Sequence, residues 1–592
     1  MRMTKRIPEV AGLIAALVLA GGCDTLDISN PNAPDSGRLL TDPASVEQIA
    51  VGALRTWYNT TQNMDPVASL IVMARSHTAS WNNFQIRIYT GCTSGAWDVY
   101  AAPLGTCGTT VNTYPRIEWQ NDPASTARTQ IEAYWYGYYS ALSSANAVLK
   151  ALRQNNVVPP DGRPTVEAMA VFVQALCLSG IALNYDQGYI VTDATPVDGN
   201  GLPTPAVAFS SRTQVRDVAM QKFDEAIALA TSNIFTVPDV FFNKPSAPPI
   251  TNAKLVQIAN TMAARTLAYF PRNAAENATV DWTKVLSYAS QGISSGTPFS
   301  WVFQTDGVNW FDYLKSWSND MRTMRMHTRV AHLMDPTTQP DPFNATANSQ
   351  PVWGTTSHDK RLGDGSYTYP AAALGNVTIT PAATANAGTD YAWSTTKARF
   401  PAARGSWHQS AIGQIRYITL SEIDPNGSAV GLGTGPIVLA AENDLLWAEA
   451  LIRSGGSLVT AAARIDNTHV GRGGLTSAAG LSAAAMLDTL HYEQDVELPG
   501  SNAAPYYNQR RLDKLEPLTP HEMPVPAKEL GVLQLPLYTW GGASNPPNST
   551  STAPAGSAAA LIQNAPRVWA EIRREQQNRL LANRVLNRLS PN

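Results

Sequence analysis

Cys23 is the first residue whose setting points to a reaction. It closes the run Leu19-Ala-Gly-Gly-Cys23, and small residues leading into a cysteine are the pattern of a bacterial lipoprotein cleavage site, with Ala20 three positions ahead of the thiol. Cleavage there frees Cys23 to carry acyl chains, each buried methylene contributing roughly 0.8 kcal/mol to a membrane anchor. The plainer alternative is an ordinary signal peptide beside a chance cysteine. A second chemistry is offered by flat aromatic rings outside any helical period. Trp81, Tyr89, Trp97, Tyr114 and Trp119 lie in one irregular stretch, and Trp301, Trp310 and Trp317 in another. Exposed rings of this kind stack on the C–H faces of sugars, while Asn82, Asn83 and Arg87 could meet a rim of hydroxyls. Extended peptides could use the same surface. Core burial is the alternative for any one of them, since Trp is highly buried on average.

Cys92 and Cys107 lie 15 positions apart and could close a disulfide, worth about 3 kcal/mol at that loop length. Cys177 sits in an apolar helical pattern and reads as a buried free thiol. Gly292-Ile-Ser294-Ser-Gly296 matches G-x-S-x-G, but a nucleophile elbow needs a strand before it, and here a helix precedes. Glu493 and Glu497 are the carboxylates that could be taken for a glycosidase pair. Four apart on a helix, they read instead as partners holding Arg510 or Arg511. No H-E-x-x-H, P-loop or zinc-spaced Cys/His set occurs. The expectation is no catalytic residue, no metal and no cofactor.

The elements that must position these residues follow from periodicity. Arg2, Lys5 and Arg6 precede the apolar run Val10–Ala20, too short to span a bilayer and suited to a secretory signal over 1–22. Residues 23–40 read as an extended tether. The body, 41–540, opens with a helix over 43–59 and a short apolar run over 67–74. Ile131, Trp135, Tyr138, Leu142, Ala145, Val148 and Leu152 then recur at steps of three and four. Residues 166–185 form a second long helix, apolar all round and so deep in the core. Helices over 214–230, 253–270, 281–293 and 438–452 follow. Helix lengths and short breaks predict an all-α fold of tetratricopeptide-like helical pairs, at about 125–295 and 437–455, with long irregular loop excursions forming a ligand face. Trp57, Trp135 and Trp447 fall on helical stripes and read as core. Residues 541–565 read as a flexible linker and 566–592 as a C-terminal basic helix docked on the body.

Composition bounds the function. Of 592 residues only 15% are charged, with a formal net charge of −3, and nothing there suggests nucleic acid, whose binding needs a clustered basic face. Fifteen Trp and twenty-one Tyr among many Asn, Thr and Gly suit an exported, loop-rich protein.

Several blocks together resemble the SusD/RagB family of nutrient-binding outer-membrane lipoproteins. They are Cys23-Asp-Thr-Leu-Asp-Ile, Asn30-Pro-Asn, Asp42-Pro-Ala-Ser-Val, the Trp135–Val148 helix, Tyr185-Asp-Gln-Gly-Tyr189 and Ala259 to Arg265. Val280-Asp-Trp282, Arg404-Gly-Ser-Trp407 with Gln409-Ser410, Ala441 to Ala450, Tyr492 to Leu498, Arg510-Arg511 and Met523 to Leu530 continue the order. The resemblance implies a helical fold of tetratricopeptide-like pairs, lipidation at Cys23 and a place on the outer face of the outer membrane. It further implies a non-catalytic protein that binds an oligosaccharide, or in some members a peptide, and delivers it to a SusC-like TonB-dependent transporter. The ligand face is then drawn from loops in the two aromatic regions.

Overall fold

The computed structural model describes residues 40–79, 118–198, 203–244, 249–296, 300–320, 323–339, 356–363, 389–393, 410, 412–421, 431–515 and 519–540. Asp42 caps α1 (Pro43–Thr61), its carboxylate accepting from Ser45 N, and Pro43 sits where a missing N–H costs nothing. Asn63 caps α2 (Met64–Met73), buried at every position but Asp65, so the short apolar run is a helix. Two long antiparallel partners follow, α3 (Thr129–Arg153) and α4 (Arg163–Asn184). They are joined in sequence by α5 (Arg212–Ser232), whose capping box pairs Ser211 with Gln214, and α6 (Asn252–Tyr269). The short α7 (Ala274–Ala278) and α8 (Trp282–Ala289) lead to α9 (Tyr313–Ser318) and α10 (Thr328–Met334). The last group is α11 (Ala440–Arg453), α12 (Leu458–His469), α13 (Ala483–Val496), α14 (Ala504–Arg511) and α15 (Ala527–Val532).

The helices stack in a row. Helix α1 packs on α3, α3 on α4, α4 on α5, α5 on α6, α6 on α8, α8 on α11, and α11 on both α12 and α13. This is the tetratricopeptide-like pairing expected from helix lengths. Helix α4 is apolar enough to cross a membrane by length and composition, yet it is almost wholly buried between its neighbours. Its Gly180 explains the close approach to α3, since a Cβ there would meet the Tyr138 ring at 2.7 Å. One continuous apolar core runs from Val46 to Tyr538.

Eight short strands, paired antiparallel as four ribbons, accompany the helices among the described residues. They are β1 (His77–Ala79) with β5 (Met324–Met326), β2 (Gln187–Tyr189) with β3 (Phe209–Ser211), β4 (Trp301–Thr305) with β8 (Gly433–Val438), and β6 (Tyr391–Trp393) with β7 (Ile412–Gln414). Each ties a loop excursion to the helical row. The helix expected over 281–293 stops at Ala289, where Ser290 to Gly292 turn the chain.

Candidate ligand-binding face

The short helix α9 carries half-buried aromatic rings on a fixed base. Phe311 and Tyr313 stack with centroids 5.7 Å apart and planes within 11°. Trp317 lies one turn beyond Tyr313 and so on the same helix face. Phe311, Tyr313 and Trp317 are all neither buried nor fully exposed, and Tyr313 and Trp317 rest against the main core. Val308 and Leu432, in the flanking turns, are 66% and 46% exposed, adding apolar surface. Asn309, Asn59 and Asp306 supply polar groups nearby.

The base is polar and out of water. Asp312 caps α9, accepting Lys315 N at 3.0 Å, Lys315 Nζ at 2.7 Å and Tyr58 Oη–H at 2.9 Å. Burial lowers the Lys315 ammonium pKa and Asp312 opposes that shift. Burial, then Asp312, raises the Tyr58 phenol well above its ordinary value. The Asn59 amide clamps the approach to the helix, donating to Asn309 O at 2.7 Å and accepting from Phe311 N at 3.0 Å. Such a shell holds the rings in place without ligand, which lowers the ordering cost of binding.

Of the eight aromatics singled out from sequence, Trp81, Tyr89, Trp97 and Tyr114 lie outside the described residues, as do Asn82, Asn83, Arg87, Cys23, Cys92 and Cys107. Trp119, Trp301 and Trp310 are core residues at 0%, 1% and 3% exposure, which corrects their reading as loop platforms. Trp119 donates Nε1–H to Glu522 O at 2.8 Å. Trp301 points inward from β4, stacked on Trp57 at 5.4 Å. Trp310 is drawn in by a turn in which the Asp306 carboxylate accepts the N–H groups of residues 308, 309 and 310. Trp317 alone of this described group keeps part of its ring accessible. Phe311 and Tyr313 were not among the sequence candidates. Their signal was the spacing Phe311-Asp-Tyr313-x3-Trp317, one helical turn of aromatics after a capping Asp. Trp57 and Trp135 are core as expected, and Cys177 is a buried free thiol. Trp447 is only half-buried, its ring covered by the Arg464 guanidinium at 3.7 Å.

The groups considered for catalysis are otherwise engaged. Ser294 follows α8 through a turn, without the strand a nucleophile elbow requires. Glu493 and Glu497 do not hold Arg510 or Arg511, as the sequence suggested. They both bind Arg361, at 2.7 and 3.1 Å, with all three side chains at 0% exposure. Arg511 is held by Glu449 instead, and Arg510 by the carbonyls of Leu183, His521 and Tyr269. Helix α14 touches α13 as well as α2, α6 and α7, but it is Gln509 that meets α13, at Asp495, while Arg510 and Arg511 face α4, α6 and α11.

The scattered sequence blocks meet in space. Trp135 sits edge-on to Tyr185 and Tyr189 at 5.0 and 6.0 Å, and Asn146 donates to Val191 O at 3.1 Å. Arg265 pairs with Glu442 at 2.7 Å, and Asn184 O accepts from Met523 N at 2.7 Å. Trp282 lies under both Arg453 and Arg511.

No protein-family model matches the sequence, and no curated protein matches it. Solved structures similar to the chain include a SusD superfamily protein from Bacteroides vulgatus ATCC 8482, at 11% identity over 82% of this chain and 89% of that one, TM-score 0.45. A SusD homolog from Parabacteroides distasonis ATCC 8503 matches at 12% identity over 79% and 85%, TM-score 0.47. A SusD-like carbohydrate binding protein from Bacteroides fragilis NCTC 9343 matches at 13% identity over 80% and 86%, TM-score 0.49.

Proposed function

We propose that this chain is a lipid-anchored cell-surface protein that binds an oligosaccharide and delivers it to a SusC-like TonB-dependent outer-membrane transporter. The observation that carries the reading is the convergence of the blocks on which the resemblance rests. Residues far apart in sequence, Arg265 with Glu442 and Glu449 with Arg511, are direct partners in one buried frame. The signal-like segment ending in Cys23 supports the anchor and the outer membrane as its place. The rings of Phe311, Tyr313 and Trp317 supply a stacking surface of the kind a sugar uses, and Trp81, Tyr89, Trp97 and Tyr114 are the proposed contacts from the other aromatic stretch.

The deciding experiment is co-purification of the tagged full chain from outer membranes in mild detergent. A large TonB-dependent barrel in near-equal amount supports delivery. If the protein comes down alone and turns over a polymer, the transport reading fails and a surface glycosidase or esterase takes its place. Changing Cys23→Ser should move the protein out of the membrane fraction. A screen of neutral oligosaccharides against peptides of similar length then separates the glycan reading from a peptide-binding one.

A further inference from the structure

A groove of about 740 Å³ lies between α5 and the chain from α6 through α7 to α8, on helices that carry none of the aromatic face. Its α5 wall runs from Arg212 to Asp224, about 18 Å at 1.5 Å per residue. Met220, Leu267, Phe270 and Val280 form an apolar strip along it, rimmed by four carboxylates and three cations. Two of the cations are already engaged. Arg212 donates to both Glu276 oxygens at 2.7 Å, Arg216 pairs with Asp217, and both guanidiniums lie over the Phe270 ring at 4.3 and 4.4 Å. The aspartates are engaged by halves. Asp217 uses one oxygen on Arg216, Asp224 one on the Tyr288 hydroxyl and Asp281 one on Lys284 N. The second oxygen of each is left open among the described residues, and Lys284 is the one lining cation without an ion-pair partner there.

The described residues end at 540, close to this groove. Trp119 N–H donates to Thr539 O at 3.1 Å and Trp119 Nε1–H to Glu522 O at 2.8 Å. Glu522 Oε2 in turn accepts from Arg272 Nε at 3.1 Å and stands 3.9 Å from Nε of Arg212, on the groove wall. Two side chains, Trp119 and Glu522, therefore separate the chain's exit from the groove. Residues 541–565 carry no charge and are rich in Gly, Ser, Pro and Ala. A chain of that length and composition spans about 25–30 Å on average, enough to bring residue 566 back to the groove. From there to 592 the sequence has six arginines against two glutamates. At about 100° per residue, Trp569, Ile572 and Leu580 fall within an arc of about 80°, with Arg573 and Arg579 at its two edges. The rise from Trp569 to Leu580 is about 16 Å, close to the length of the α5 wall. An amphipathic helix laid by its apolar face into a groove is a recurrent mode of peptide recognition.

We propose that the basic segment 566–592 docks as a helix in this groove, Trp569, Ile572 and Leu580 on the apolar strip and Arg573 and Arg579 on the open oxygens of the aspartates. The inference goes beyond the proposed function and does not depend on it. The test is hydrogen exchange of the full chain in detergent, read by mass spectrometry over 569–581. Wild type should protect these amides at least about tenfold relative to unstructured chain, less in high salt because the charged contacts are screened. Asp217→Lys, and Asp217→Lys with Asp224→Lys, should remove that protection. Reversing the partners in the same chain, Arg573→Glu with Arg579→Glu, should restore it. Asp217 is exposed and pairs only with its neighbour Arg216, so the single variant should melt as wild type does and keeps the comparison valid. Exchange of 569–581 at the unstructured rate in wild type overturns the docking. Protection that survives both groove variants places the segment elsewhere and overturns the site. Protection that is lost on dilution assigns the groove to the segment of a second copy, and loss that the arginine reversal does not restore overturns the charge pairing.

Discussion

Arg511 and Glu449 form a two-point ion pair entirely out of water, Nη1 to Oε1 at 2.7 Å and Nη2 to Oε2 at 2.5 Å, joining α14 to α11. Burial alone would raise the Glu449 carboxyl, but Arg511 and then Arg453 outweigh it and hold the group well below the usual carboxylate range. Replacing Glu449 by Gln leaves Arg511 buried without its counter-charge. Loss of one partner in a buried pair costs about 3–5 kcal/mol, so the urea midpoint of Glu449→Gln should fall sharply. Because the folded pKa is depressed, the pair's contribution is complete above the unfolded value of about 4.3 and is lost as pH falls. The gap between wild type and variant should therefore close toward acid. A gap constant from pH 7 to pH 3 would show that shape and not charge is responsible.

Asp186 has the opposite sign. It is 4% exposed, and neither carboxyl oxygen closes a hydrogen bond of ordinary geometry. Burial, then the neighbouring Glu522, raises it well above the ordinary carboxylate value, with Tyr538 pulling the other way. A raised acid costs nothing below the unfolded pKa of about 3.9 and destabilises increasingly above it, until the folded group itself ionises. Asp186→Asn mimics the neutral form. Its stability should match wild type near pH 4 and exceed it at pH 7, as read by thermal melting across that range. A variant less stable than wild type at pH 7 would mean that Asp186 is ionised and paired.

These two sites show where the sequence was informative and where it was silent. Periodicity located α3 and α4 because their apolar residues recur in step with the helix, and the all-apolar 166–185 run announced its own burial. It could not place Trp301, since a five-residue strand with alternate residues inward looks like a loop when its partner, β8, lies well over 100 positions away, nor Trp310, which is drawn in by the Asp306 turn. Partner choice was equally hidden. Glu493 and Arg510 stand near each other in sequence, yet α14 carries Arg510 to carbonyls of α4 and α6, while Arg361 arrives from a segment with no periodic signal. Phe311 and Tyr313 were hidden because α9 is only six residues long, too short to show a periodic stripe.

Gly431 tests the base of the aromatic face. It sits at φ +67°, and a Cβ there would lie 2.3 Å from Asp312 O, the residue that caps α9. Left-handed backbone costs an L-residue roughly 1–2 kcal/mol before any clash. Gly431→Ala should lower the melting temperature and displace α9. Crystals of the variant should show Lys315 and Asp312 shifted from their 2.7 Å contact. An unmoved pair at wild-type stability would mean that the β4–β8 ribbon absorbs the change and does not brace the helix.

The face itself is tested by its rings. Tyr313 and Trp317 are half-buried, so truncating either removes contact surface while leaving the Asp312–Lys315–Tyr58 base intact. An anchoring aromatic contributes at least about 1.4 kcal/mol, equal to a tenfold change in affinity. Trp317→Ala should therefore weaken binding of a neutral oligosaccharide by tenfold or more, and Tyr313→Ala by a similar factor, because that ring also orders Phe311 through their 5.7 Å stack. Trp119→Ala is the contrast. Its ring is fully buried and tied to Glu522 O, so its loss should lower stability by about 3–5 kcal/mol while leaving the affinity of the folded fraction near wild type. Calorimetry beside urea unfolding separates the two classes. If Trp317→Ala and Tyr313→Ala both bind as wild type does, the sugar is held elsewhere and the α9 rings are only the outer edge of the core.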